Sequence, residues 1–368
     1  MKTNTRTKVQ LLLILFGLLA LGLFALLFPQ KDFSMQERRY LASAPQNFSL
    51  TQWTLKDDLE TYLSDRLPFR SALIAVNSTY DLALARRVQL DVWPVKGMLI
   101  EKPIEADETQ VKRRMDQLSA LLEEWQLSGQ ALLVPSAGAV LSPHMPGHLS
   151  ALYQDERTVH ETISRFAMAI PLPKLLASVP RETYFSTDHH WTLDGAYLAY
   201  EAYCTSNGLT PFPLSHFILS GNSQFLGSTL SRSGLPFWKK DTLRWAQPQG
   251  VTFHVEGADT SPYNTLIFEE NLQSWDPYTV FMNGNHGMAV VENPNAPQGH
   301  LVVFKDSFAN TLLPLLSAHY SRITLLDLRY FGSTASEAMA RLESPDQLLF
   351  CYSLDSLLHD TAVQRKLR

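Results

Sequence analysis

The stretch "TDHHWT", residues 187–192, sets one carboxylate beside two imidazoles. A serine nucleophile needs an imidazole to take its proton and a carboxylate to fix that imidazole's tautomer. In an extended segment, residues two apart share a face, so Asp188 and His190 point one way and His189 the other. The pattern makes His190 a candidate base, Asp188 its orienter, His189 a neighbour and Trp191 a wall of the site. The same residues also suit an Asp/His/His metal site, or a polar cluster bracing the helix that follows. The stretch by itself does not choose among these.

A candidate nucleophile lies far downstream. "LVVF", "KDS", "FANTLLPLLSAHY" and "ITLLDL" read in order as buried strand, tight turn, helix and second buried strand. That is the βαβ unit of an open parallel sheet. Sites in such sheets form beyond the carboxyl ends of the strands, where Ser307 falls. The exposed N–H groups of a helix start favour developing negative charge there. A serine at that position equally serves as a plain helix N-cap.

Other elements must bring these pieces together. "LDVWPVKGMLIEKP" reads as a hairpin turning at Lys96-Gly97. Val111, Met115, Leu118, Leu121, Leu122 and Trp125 recur at helical spacing and form one apolar stripe. "QALLVPS" is a short buried strand, and "QLLFCYSL" another. Thr192 caps a helix that stops at Asn207-Gly208. Residues 210 to 280 are rich in turns, with strand-like pieces in "VTFHVEG" and "YTVFM". The expected class is α/β: an open, mostly parallel sheet flanked by helices.

The amino terminus is of another kind. Lys2, Arg6 and Lys8 precede an unbroken apolar run from Leu11 to Phe28. With Val9 and Gln10 the run approaches the ~20 residues that span a bilayer. It exceeds a signal-peptide core, and the first A-x-A after it, Ala42-Ser43-Ala44, lies well past it. The expectation is an uncleaved anchor in the lipid bilayer through residues 9–28. Its basic flank keeps the amino terminus cytoplasmic, in a single-pass membrane protein whose domain is extracytoplasmic. The expected organisation is residues 1–30 as flank and anchor, 31–90 as a membrane-proximal helical region, and 91–368 as the α/β domain.

Composition narrows the function. Of 368 residues, 45% are hydrophobic and 18% charged, enough apolar material for a core and unlike a disordered chain. A formal charge of -5 carries no electrostatic footprint for nucleic acid. Two cysteines, Cys204 and Cys351, are too few for a disulfide framework. Pro146 and Gly147 break the helix that His144 and His148 would need to share a zinc ion. No metal and no cofactor is expected.

"TDHHWT" and "FKDSFANTLLPLLSAHYSRITLLDLRYF" together resemble the two signature blocks of the DHHW proteins, a bacterial membrane-anchored group. That group is similar to the alginate O-acetylation proteins, whose domain is SGNH-hydrolase-like. "ERRYLASAP" and "DRLPFR" resemble its membrane-proximal elements. The resemblance implies a triad of Ser307, His190 and Asp188, with Asp306 holding the nucleophile turn. It also makes the Gly/Asn loop "NGNHG", residues 283–287, a source of oxyanion donors, with Gly284 and Asn285 as candidates and an ordinary turn as the alternative. Arg329 could reach an acyl oxyanion or an anionic sugar, or pair with a nearby carboxylate. One departure stands out: the SGNH block begins Gly-Asp-Ser, whereas this chain has Lys305-Asp306-Ser307. The implied function is a membrane-anchored serine esterase or O-acetyltransferase acting on cell-envelope or exopolysaccharide sugars. Transfer would draw on a membrane-bound acyl-donor protein. The alternative is an inactive SGNH-like module that binds polysaccharide or scaffolds an assembly complex.

Overall fold

The computed structural model describes residues 5–27, 32–34, 37–44, 55–178, 182–258 and 261–367. They fall into two compact units, residues 1–90 with 231–237, and residues 91–230 with 238–368.

The first unit is helical, with helices at Thr5–Leu27, Leu55–Asp65 and Arg70–Ala83. Several side chains of the first helix, and Phe28, lie outside the described residues, so the expected anchor is only partly among them. Among the described residues, no helix is long and apolar enough to cross a membrane. Asp65 and Arg70 bracket the break at Pro68 and lie 3.6 Å apart. The closer partner of the buried Asp65 carboxylate is Arg39, whose two Nη atoms donate at 2.9 and 2.5 Å.

The second unit is built on a six-stranded sheet. Its strands are β1 (Ser128–Val134), β2 (Thr252–Val255), β3 (Met288–Glu292), β4 (Gln298–Lys305), β5 (Tyr320–Leu326) and β6 (Gln347–Ser353). Their order is β1-β6-β4-β5-β3-β2. The first four in that order run parallel, and β3 and β2 extend the sheet antiparallel. The fold is therefore mixed α/β with a central, mostly parallel sheet.

Alternation along the strands sends side chains to two separate cores. In β4, Leu301 and Val303 join one core, and Val302 and Phe304 the other. Leu349 and Cys351 of β6 side with Leu301, while Leu348, Phe350 and Tyr352 side with Phe304. This is the period of two expected of a pleated strand, here apolar on both faces because helices cover both. Helix α1 (Glu108–Trp125) covers one face with Val111, Met115, Leu118 and Leu121. Trp125 stacks on Phe304 at 5.7 Å, so it is a core residue. Helices α2 (Leu193–Ser206) and α3 (Ala309–Leu316) cover the other face. Each fully buried large apolar side chain contributes about 1.5–3 kcal/mol.

Two local readings can be compared directly. The hairpin at Trp93–Val95 and Met98–Ile100 turns through Lys96 and Gly97, both at positive φ, as a tight two-residue turn requires. "YTVFM" is not a strand. Pro277–Val280 is a 3-10 turn, started by a proline and capped by the Asp276 side chain on the Tyr278 N–H. Proline at the first helical position favours that outcome over pairing.

Candidate active site

The nucleophile turn follows from the sheet. β4 ends at Lys305, and α3 begins at Ala309. The buried Asp306 carboxylate accepts N–H bonds from Phe308 at 2.9 Å and from Ser353, at the end of β6, at 2.8 Å. The Asp306 N–H donates to the Cys351 carbonyl at 3.1 Å. The turn is thus pinned to the neighbouring strand through Asp306, just before the half-buried Ser307. Among the described residues the Ser307 N–H has no acceptor. Burial would raise Asp306, but the nearby Arg329 charge and the Ser353 bonds outweigh it and hold the carboxyl below its ordinary value.

The histidine stretch is not a strand. It is a loop hung on side chains. Asp241 accepts four bonds from it, two from Ser186 at 3.1 and 2.7 Å and two from Thr187 at 2.8 and 2.6 Å. Thr192 caps α2 by accepting from the Gly195 N–H. Trp191 is fully buried, and its indole N–H donates to the Phe308 carbonyl at 2.9 Å. That bond ties the loop directly to the start of α3.

The two segments meet at one contact. His190 Nε2 lies 2.8 Å from Ser307 Oγ, and His190 Nδ1 lies 2.6 Å from Asp188 Oδ1. Asp188 also accepts the His190 backbone N–H, and on its other oxygen the Ser228 N–H and hydroxyl at 2.7 and 2.9 Å. Gly227 is needed for this approach: a Cβ there would stand 2.2 Å from that of Asp188. Burial would raise Asp188, but the two adjacent imidazoles and the bonds from His190 hold it well below the usual carboxylate range. Burial, with His189 alongside, lowers His190 against the pull of Asp188. Tyr278 stacks on the His190 ring at 3.9 Å and 8°, its own hydroxyl held by Thr311 at 2.8 Å.

Asp188, His189 and His190 bring ligand atoms within 4.8 Å of one another, close enough to suggest a metal cluster. The 2.6 Å separation of His190 Nδ1 and Asp188 Oδ1 is a hydrogen-bond contact. Two ligands on one tetrahedral zinc, each at about 2.0–2.1 Å, would stand about 3.3 Å apart. The arrangement is that of a hydrogen-bonded network.

The remaining candidates are placed as follows. Met282, Asn283 and Gly284 all take positive φ, and the Gly284 N–H closes a turn onto the Phe281 carbonyl at 3.0 Å. That N–H is therefore committed within the loop. Asn285 Oδ1 accepts from Asn310 Nδ2 at 3.3 Å and from Lys305 Nζ at 3.4 Å, which ties the loop to the nucleophile turn. Lys305, where a glycine was the comparison, is buried 3.9 Å from Asp327. Burial lowers its ammonium, with Asp327 opposing. Arg329 grips Asp327 with Nε at 2.9 Å and Nη2 at 2.7 Å, the carboxylate pairing named as one of its two readings. Cys204 and Cys351 are both buried and unpaired.

Ser228, Asp241 and Tyr278 were not foreseen. All three come from the turn-rich 210–280 stretch, where no spacing marks them.

The model of the DHHW protein family matches residues 172–326. The matched segment is a DHHW protein region. It contains the first block that carried the resemblance and the second as far as Leu326. A DHHW family protein from Eubacterium siraeum has a similar solved structure, at 19% identity and TM-score 0.63, over 75% of this chain and 94% of that one. Bacillus cereus PatB1, also solved with a sulfonyl adduct, is similar at 20% identity and TM-score 0.61, over 74% of this chain and 98% of that one. The O-acetyltransferase domain of Pseudomonas putida AlgJ aligns more loosely, at 14% identity and TM-score 0.40, over 72% of this chain and 90% of that one. No curated protein matches the chain. At these identities the likeness to the Eubacterium siraeum protein and to PatB1 is one of fold.

Proposed function

We propose that the DHHW region is an SGNH-hydrolase-like acyl transferase or esterase that moves acetyl groups on or off carbohydrate hydroxyls. One observation carries the reading: the 2.8 Å contact between Ser307 Oγ and a His190 ring whose other nitrogen is held by buried Asp188. Ser307 attacks the acetyl carbonyl while its proton passes to His190 Nε2. Asp188 fixes the ring with Nδ1–H and stabilises the imidazolium. The imidazolium returns the proton to the leaving alcohol, giving an acetyl-serine. A second hydroxyl, from sugar or water, then reverses the sequence. The Ser307 N–H and the Asn285 side chain are the donors for the oxyanion. Tyr278, flat against the imidazole, keeps Nε2 aimed at the serine.

The amino-terminal apolar run supports a tether that holds the domain outside the cytoplasmic face. A single span carries no acetyl group across a bilayer, so the donor comes from a membrane-bound partner. The test is acetyl-ester turnover by the full chain in detergent beside Ser307→Ala. A sulfonyl fluoride should label wild type at Ser307 and leave the variant unlabelled. Equal turnover in both would leave a polysaccharide-binding or scaffold module.

A further inference from the structure

The triad uses one histidine of the pair, and hydrogen bonding sets the neutral tautomer of the other. The Ser228 hydroxyl has one proton and donates it to Asp188 Oδ2 at 2.9 Å. Its 2.9 Å contact with His189 Nδ1 must therefore receive a proton from the ring. Neutral His189 carries Nδ1–H and leaves Nε2 as a lone-pair acceptor. Among the described residues that Nε2 has no hydrogen-bond partner, and the side chain is 38% exposed. His190, by contrast, is 6% exposed.

The two rings are arranged alike. Both Nδ1 atoms face the same Asp188 oxygen, at 2.6 Å for His190 and 3.6 Å for His189. Their Nε2 edges accordingly face away from it, and that of His190 meets Ser307. The ring centroids are 3.9 Å apart, with planes tilted by 38°. One ring thus offers its Nε2 to the nucleophile, and the more exposed ring beside it carries a second, unengaged Nε2.

We propose that His189 Nε2 accepts a hydrogen bond from the hydroxyl adjacent to the one that reacts, so that the site selects vicinal diols. The inference rests on the acyl-transfer reading above. The proton count requires two hydroxyls. In the transfer step the reacting hydroxyl gives its single proton to His190 Nε2 as its oxygen bonds to the acetyl carbon. The ester bond to Ser307 then breaks, and His190 returns the proton to Ser307 Oγ. The reacting hydroxyl has nothing left to offer His189, whereas a neighbouring hydroxyl on a sugar ring does. Adjacent ring hydroxyls and adjacent imidazoles have spacings of the same order, so one diol reaches both nitrogens.

The test is competition between cis-cyclohexane-1,2-diol and cyclohexanol for acetyl from p-nitrophenyl acetate. The ratio of the two acetylated products is read within each protein, so it does not depend on overall rate. Wild type should favour the diol about threefold to tenfold per hydroxyl, the range one neutral hydrogen bond supplies. In His189→Asn the amide keeps a donor for Ser228 but has no acceptor at the Nε2 position, and the ratio should fall to parity. His189→Gln places an amide oxygen near that position and should recover part of the preference. No diol preference in wild type, or an unchanged ratio in His189→Asn, overturns the proposal. Undiminished ester turnover by Ser307→Ala overturns the acyl-enzyme reading instead.

Discussion

The two segments that meet at the site are held by different physics. The nucleophile turn, Lys305 to Phe308, is an extension of the sheet: strand β4 delivers it, and one backbone bond to β6 together with the buried Asp306 carboxylate fixes it. The loop from Ser186 to Trp191 belongs to no sheet. It hangs on the carboxylates of Asp241 and Asp188, on one indole N–H and on a few scattered backbone bonds, such as that from Leu230 N–H to the Thr187 carbonyl. Regular structure sets a position through many weak contacts, and losing one is tolerable. A loop hung on a few charge-assisted bonds is oriented as sharply but fails when one of them is removed. The first segment carries the proposed nucleophile on the sheet, and the second orients the proposed base.

That contrast can be broken in stages. Ser307→Ala should have the largest effect, lowering acetyl-ester kcat by roughly 10⁶-fold, as expected for a group that acts as a unit with its base. Asp188→Asn should cost about 10⁴-fold, because the amide no longer fixes His190 as the Nδ1–H tautomer. Steady-state kinetics on a folded sample measure both. Asp241→Ala removes the four bonds to Ser186 and Thr187. A shift of about 1 Å in a positioning element costs about 10²-fold, so kcat should fall on that scale. Circular dichroism melting should move little by comparison.

The pH profile sharpens the same point. His190 must be neutral to act as base, and burial sets it below its ordinary 6.5. The kcat/KM should therefore be flat through neutral pH and decline only on the acid side of 6.5, approaching tenfold per pH unit. An inflection above 6.5 would contradict this environment. Phe304→Ala should have the smallest effect on turnover per folded molecule. It should nonetheless destabilise the sheet by about 3–5 kcal/mol in denaturant unfolding, because a core aromatic leaves a cavity.

The sequence made some of this legible and not the rest, for reasons of range. Asp188 and His190 could be paired from their two-residue spacing, but the stretch is a loop, and His189 lies beside His190 facing the same Asp188 oxygen rather than on the opposite side. Ser307 could be placed because apolar runs with a turn between them mark a strand end. The strands β4, β5 and β6 announced themselves by unbroken apolar character, the mark of burial on both faces. Ser228, Asp241 and Tyr278 act across long stretches of chain through single side chains, and no periodicity encodes such contacts. The segment "YTVFM" has strand-like composition, but Pro277 overrides it. Arg329 was left with two partners because its neighbour Asp327 and a substrate oxyanion are chemically alike to a guanidinium. Only the geometry shows two of its three nitrogens already engaged.

Strand β6 lies between β1 and β4, yet it comes after both of them in the chain. The place between edge strand β1 and the rest of the sheet is therefore vacant until residues 347–353 arrive. Ser353 is also the residue whose N–H completes the cradle of Asp306. A growing chain can form its hairpins and helices early, but it has no organised catalytic turn until this late strand inserts. Such non-local insertion is intrinsically slow. A chain cut short before Gln347 would lack the strand that holds the Asp306 turn and should be unstable.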